Sequence, residues 1–216
     1  MRLSHSHSGP QNPNDSFTSG GQKDGATYEI HGHTNITWPH RHGDKILNDR
    51  FSLSRVFDQQ TSQDMVYEFC AKAVVENFLK GYNGAVIAYG QTTSGKTYTM
   101  QGPEDNLEDR FSGIIPRSLE HIFLNIEWNK GKNIELEVSM SVFEIYAEKI
   151  IDLLAGAKNK KDEHKIRVNE KNEVHITGLT EVKLTAAEQV NKCMMRASKH
   201  RSVGANVTNK NSSRSH

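Results

Sequence analysis

Hydrophobic positions along the chain fall into short runs divided by polar breaks, and the period of each run predicts an element. Tyr28 to Ile30 is a first strand-like piece, and Phe51-Ser52-Leu53-Ser54-Arg55-Val56-Phe57-Asp58 alternates apolar with polar as a half-buried strand does. Thr61 and Asp64 can cap a helix on which Val66, Phe69, Cys70, Ala73, Val74 and Phe78 share one face, read as core packing, with Gly81 ending it. The apolar run Ala85-Val86-Ile87-Ala88-Tyr89 follows the turn cluster Gly81-Tyr82-Asn83-Gly84 and predicts a buried strand. After a polar break from Gln101 to Ser112, a helix is expected from Gly113 to about Ile126, with Pro116 tolerated in its first turn. Ile134 to Phe143 reads as a strand with Leu136, Val138 and Met140 on one face, and Ile166 to Val168 and Val174 to Val182 as strands around Asn169-Glu170-Lys171-Asn172. Thr185-Ala186-Ala187-Glu188 fits a capping box and opens a helix through Val190, Cys193, Met194 and Ala197.

Composition changes this picture at the ends. Residues 1–27 are rich in Ser, Gly, Asn, Gln and Pro without an apolar period, which predicts a disordered tail. The 216 residues suffice for one domain, and the mean hydropathy of −0.69 suggests that part of the chain is unpacked. A net charge of +1 argues against a general nucleic-acid binder. Two cysteines, Cys70 and Cys193, offer no disulfide framework. No bilayer-length apolar stretch or signal-peptide core is visible, so an intracellular soluble protein is expected, without membrane insertion. His5, His7, His31, His33, His40 and His42 form three H-x-H pairs, but no cysteine or well-spaced carboxylate accompanies them, and ordinary tail composition accounts for them. Lys158, Lys160 and Lys161 mark a solvated loop over 155–165.

The chemistry concentrates at Gly90-Gln91-Thr92-Thr93-Ser94-Gly95-Lys96-Thr97, which fits G-x-x-x-x-G-K-[ST]. Glycines let the backbone wrap so that N–H groups form an anion nest. Lys96 brings a point charge to the outer phosphates, Thr97 offers a hydroxyl to Mg²⁺, and the helix opening near Lys96 adds its N-terminal dipole. The pattern needs a buried strand before it and a helix after it; a helical or solvent-exposed 85–89 would, on this reading, make the site assignment collapse. The expected nucleotide-binding residues of the motif are Gly90, Gln91, Thr92, Thr93, Ser94, Gly95, Lys96 and Thr97.

The stretch A-Y-G-Q-T-x-x-G-K-T-x-T-M from Ala88 to Met100 resembles the kinesin motor domain. Further resemblances follow in the family's order: V-F-D at Val56 to Asp58, G-I-I-P-R at Gly113 to Arg117, F-E-I-Y at Phe143 to Tyr146 leading to Asp152-Leu153-Leu154, and N-x-x-S-S-R-S-H at Asn209 to His216. Thr61-Ser62-Gln63 and Cys70-Ala71-Lys72 are nearest in style to conventional kinesin heavy chain. The resemblance implies an α/β P-loop NTPase fold, three-layer α/β/α with a central, mostly parallel sheet. Residues 28–216 would be a partial motor domain, with the phosphate loop at 90–97 and switch I at 209–216.

By the same resemblance Ser212, Ser213 and Arg214 are the catalytic residues. Ser212 helps close the site, Ser213 joins Thr97 at Mg²⁺ or reaches the γ-phosphate, and Arg214 pairs with a switch II carboxylate. Tyr98 would lie against the base, and ATP with Mg²⁺ is the implied cofactor. Asn209-Lys210-Asn211-Ser212 lacks the aspartate of the guanine-reading N-K-x-D, and kinesin-like motifs across most of the chain disfavour an unrelated P-loop kinase or GTPase. Microtubules are the implied partner, with no nucleic acid, and the cytoplasm and its cytoskeleton the implied location; the hairpin around 169–172 corresponds to one that touches tubulin in kinesins. The family's R-x-R-P strand and its D-L-A-G-S-E switch II motif do not occur in the sequence. The expectation is therefore an incomplete motor head, whose 216 residues by themselves bind nucleotide at most weakly and show no microtubule-stimulated ATPase. The alternative is a non-motile nucleotide-binding remnant or interaction module, binding nucleotide weakly and showing no microtubule-stimulated ATPase.

Overall fold

The computed structural model describes residues 22–23, 26–103, 109–130, 136–155, 164–170 and 172–207. The chain divides into two units, Met1–Ser118 and Leu119–His216.

The first unit opens with β1 (Gln22–Lys23) paired to β2 (Ala26–Thr27), inside the segment read as a tail. Next comes an antiparallel meander of β3 (Glu29–His31), β4 (Asn35–His42) and β5 (Lys45–Ser52). His42 faces Lys45 across a two-residue Gly43-Asp44 link, and Gly43 supplies the φ of +61° that such a tight hairpin needs. The predicted strand over 51–58 is displaced: β5 ends at Ser52, and Leu53 and Val56 instead donate backbone hydrogen bonds to Thr34 O (2.7 Å) and His33 O (2.6 Å). Alternation continues through that bend, which is why it reads as strand. Tyr28, Ile30, Ile36 and Val56 form a buried cluster, and Trp38 stacks on Tyr28 with ring centroids 5.7 Å apart.

Ser62 caps α1 (Gln63–Cys70), its hydroxyl accepting from the Met65 N–H at 3.2 Å, while the Thr61 hydroxyl turns back to Asp58 at 2.7 Å. The helical path bends at Ala71 (φ −126°) and resumes as α2 (Lys72–Leu79). The buried face is Gln63, Val66, Tyr67, Ala71 and Val75, whereas Phe69, Cys70 and Phe78 of the predicted stripe are exposed. A stripe drawn along one straight helix does not survive the bend. The exposed Phe69 ring still has the Arg55 guanidinium 4.3 Å from its centroid and the Phe57 ring 6.2 Å away.

The run Ala85 to Tyr89 has no strand partner among the described residues, and Ile87 and Tyr89 are 85% and 98% exposed. The buried strand expected there is therefore not formed. Val86 and Ala88 are only half-buried, so the alternation is present but nothing pairs with the backbone that carries it. All strand pairings among the described residues are antiparallel, and the parallel pairs of a central sheet are not among them. Beyond the loop come α3 (Lys96–Met100), a 3-10 turn at Asp109–Phe111 and α4 (Ile114–Asn129), which contains the division between the units. Pro116 sits in the first turn of α4, where no N–H is required.

In the second unit β6 (Val138–Met140) pairs with β11 (Val182–Leu184), β7 (Phe143–Tyr146) with β8 (Lys149–Asp152), and β9 (Ile166–Val168) with β10 (Val174–Ile176). The long strand expected over 174–182 is split because Gly178 takes φ +74° between β10 and β11. Asp152 ties the unit together. Its Oδ1 accepts from the N–H groups of Leu154 (2.8 Å) and Ala155 (3.0 Å), and its Oδ2 from that of Thr180 (2.6 Å). Burial alone would raise the Asp152 pKa, but these bonds and one from the Thr180 side chain outweigh it and hold the carboxyl below its ordinary value.

Helix α5 (Glu188–Val207) buries Val190, Cys193 and Ala197 as expected, and His200 Nδ1 lies 2.9 Å from Leu153 O. Its cap differs from the capping box read in the sequence. Gln189, not Glu188, reciprocates with Thr185, accepting from its N–H at 2.8 Å and donating to its hydroxyl at 2.9 Å. Leu153, Leu154 and Leu184 are buried in this unit, Leu154 completely. Among the described residues no helix is long and apolar enough to cross a membrane. The lysine-rich stretch over 156–163 and Lys171 in the β9–β10 turn lie outside the described residues.

Candidate functional site

The loop from Gly90 to Gly95 turns back on itself. A Cβ built on Gly90 would stand 2.5 Å from Ser94 Oγ and 3.2 Å from Ser94 Cβ, so a larger residue would have to displace the Ser94 side chain and also take up a φ of +156°. The Ser94 N–H closes it onto Gln91 O at 3.2 Å. Thr93 holds φ +66°, an uncommon conformation for a β-branched residue, with its hydroxyl bonded to Thr92 O at 2.6 Å. Gly95 caps α3 at φ +87°, ψ +13°, in the left-handed region. A Cβ there would meet nothing within 4 Å, so conformation rather than space requires glycine.

Lys96 leans back over the loop. Its ammonium donates to Gly90 O at 2.8 Å and to Gln91 O at 2.7 Å. An ammonium has three donors, so one remains for a further acceptor. The N–H groups of Lys96 and Thr97, at the start of α3, have no acceptor behind them within the helix. Thr97 is exposed, and its hydroxyl has no protein hydrogen-bond partner among the described residues. Tyr98 is half-buried on the same short helix.

The sequence thus brings Gly90 to Tyr98 together as one loop-and-helix unit, with the helix it requires and without the buried strand it requires. The loop conformation is present without that sheet support. Ser212, Ser213 and Arg214, with the rest of 209–216, lie outside the described residues. His31 and His40 face Glu29 (3.6 Å) and Asp49 (3.4 Å) separately, and no three-ligand His, Cys, Asp or Glu cluster occurs among the described residues.

Sequence reading missed the groups that brace the loop from below. Gln63, 3% exposed, sends its amide to Tyr98 O at 2.6 Å and, more weakly, to Phe111 O at 3.4 Å. Arg117 donates to Ser112 O at 3.0 Å and to Asp64 Oδ1 at 3.1 Å. Buried amides seek partners distant in sequence, and no local pattern signals them.

The family model of the kinesin motor domain matches residues 14–216. The chain belongs to the kinesin motor domain family. It is 40% identical over 172 residues to human kinesin-1 heavy chain, covering 79% of this chain and 17% of that one. It is 42% identical over 174 residues to the kinesin heavy chain of Neurospora crassa (80% and 18%) and over 168 residues to carboxy-terminal kinesin 2 of Xenopus laevis (77% and 26%). A solved structure of a fast kinesin superposes with a TM-score of 0.77 at 34% identity, over 92% of this chain and 55% of that one. This kinesin chain therefore follows the α/β P-loop NTPase fold of the motors, and it spans less than a fifth of the heavy chains it matches. The matched stretch begins at residue 14, within the segment that composition alone marks as a tail.

Proposed function

We propose that this chain is the nucleotide-binding part of an ATP-dependent microtubule motor, binding Mg-ATP at residues 90–98. The observation that carries the reading is Lys96, an ammonium held by two loop carbonyls with a third donor left over, next to a left-handed Gly95. A phosphate oxygen set against Lys96 and the first-turn N–H groups would find charge and donors already oriented, which is how such sites stabilise phosphoryl transfer. Thr97 and Ser213 would hold Mg²⁺, their hydroxyls suiting a hard cation that keeps part of its water shell. When bound, the ion supplies counter-charge across the outer phosphates. Tyr98 would lie against the base, Ser212 would help close the site, and Arg214 would meet the carboxylate of a partner switch. Work along microtubules in the cytoplasm follows from the same reading.

A second reading, nucleotide binding without filament-stimulated turnover, draws on the exposed 85–89 segment: a loop not anchored to a sheet transmits little strain to a distant surface. Two measurements test these readings. Lys96→Ala should weaken binding of a fluorescent ATP analogue at least tenfold, a charge-assisted bond contributing about 1.5–3 kcal/mol; equal dissociation constants would remove Lys96 from the site. Phosphate release with and without polymerised tubulin then separates motor from binding module, saturable stimulation favouring the motor.

A further inference from the structure

We propose that Gln63 is a positioning residue for the phosphate loop, holding α3 at the angle that sets Lys96 and Thr97; this rests on the nucleotide reading above. Gln63 is the one side chain bearing an amide or a charge that is buried among the described residues. A buried amide is costly unless its donors are used. Here they go to the carbonyl of Tyr98, at 2.6 Å, and across to that of Phe111, at 3.4 Å.

The first acceptor lies in α3 itself, two residues beyond Lys96. A five-residue helix does not hold its own direction, since nucleation costs more than so few internal bonds return. Gln63, by contrast, starts a helix fixed by the Ser62 cap and by buried Val66, Tyr67 and Ala71. Its amide thus carries the placement of α1 into α3.

The surrounding backbone leaves little slack. A Cβ on Gly113 would come within 2.6 Å of Gln101 N and Met100 C, so the segments after α3 and before α4 run in close contact. The Gly113 N–H donates to Gln101 O at 3.2 Å. Arg117 fixes the second segment through Ser112 O and Asp64, the residue after Gln63. Moving Tyr98 O therefore moves the turn that carries Lys96 rather than a free end.

The test uses Gln63→Met, which keeps the volume and removes the donors, and Gln63→Asn, which keeps the amide but withdraws it by one methylene. Each should weaken binding of the fluorescent ATP analogue about fivefold to tenfold and speed amide hydrogen exchange over residues 96–101. In the Lys96→Ala background each should weaken binding less than in the wild type, because one of the groups that α3 positions is already absent. Ile36→Val, in the separate Tyr28 cluster, serves as the stability control: it should lower the melting temperature and leave affinity unchanged. Unchanged affinity or unchanged 96–101 exchange in both Gln63 variants overturns the proposal. So do losses that simply multiply with Lys96→Ala, the mark of general destabilisation. A wild type whose binding ignores Lys96→Ala overturns the phosphate-loop reading instead, and this inference with it.

Discussion

Gly95→Ala isolates backbone conformation from every other feature of the loop. At φ +87° and ψ +13° glycine caps α3, and a Cβ there would touch nothing within 4 Å. The substitution thus introduces no clash and deletes no side-chain contact. What remains is the intrinsic cost of an L-residue in the left-handed region, about 1–2 kcal/mol. If bound nucleotide requires the loop as described, that cost falls on binding, and the dissociation constant should rise about fivefold to thirtyfold. Asparagine tolerates the region better than alanine, so Gly95→Asn should fall between wild type and alanine. Titration of the fluorescent ATP analogue into the three proteins reads this directly, and circular dichroism checks that each is folded. Unchanged affinity for Gly95→Ala would refute the reasoning, since it would mean the loop binds in another conformation. An asparagine variant weaker than alanine would refute it equally.

Gly90→Ala adds a steric term, its Cβ meeting Ser94 Oγ at 2.5 Å; it should weaken binding more than Gly95→Ala, and Ser94→Ala in the same chain should restore part of the loss. Asp152→Asn replaces an acceptor of three backbone N–H groups and should destabilise the second unit by about 1–2 kcal/mol near neutral pH, allowing for its partial exposure. Because the folded pKa is depressed, the wild-type advantage is fully present above the unfolded value of about 4 and is lost as pH falls through the lower folded value; urea melts across that range should show the two proteins converging. Ala147 and Glu148 link β7 to β8 with φ of +47° and +63°, so Ala147→Asn with Glu148→Gly should raise the melting temperature, a lower value contradicting the turn geometry.

Much of the loop was legible because its requirements are local. Glycines at 90 and 95, lysine at 96 and threonine at 97 are dictated by a few consecutive dihedrals and one charge, and the conformation at each glycine matches that demand. The same holds for Val190, Cys193 and Ala197 on α5, where one straight helix keeps its period. Tertiary structure decided what depends on neighbours. The apolar run 85–89 reads as a core strand, yet a strand exists only where another backbone takes its hydrogen bonds, and none of the described strands does so. The bend at Ala71 exchanged one apolar face for another although the residues allow either. Gln63 looks like an ordinary polar residue at a helix start, and only the fold brings it to the carbonyls of Tyr98 and Phe111, 35 and 48 positions away. Sequence specifies conformations that one or two residues can enforce, while burial and hydrogen-bond partnership belong to the groups that folding brings near.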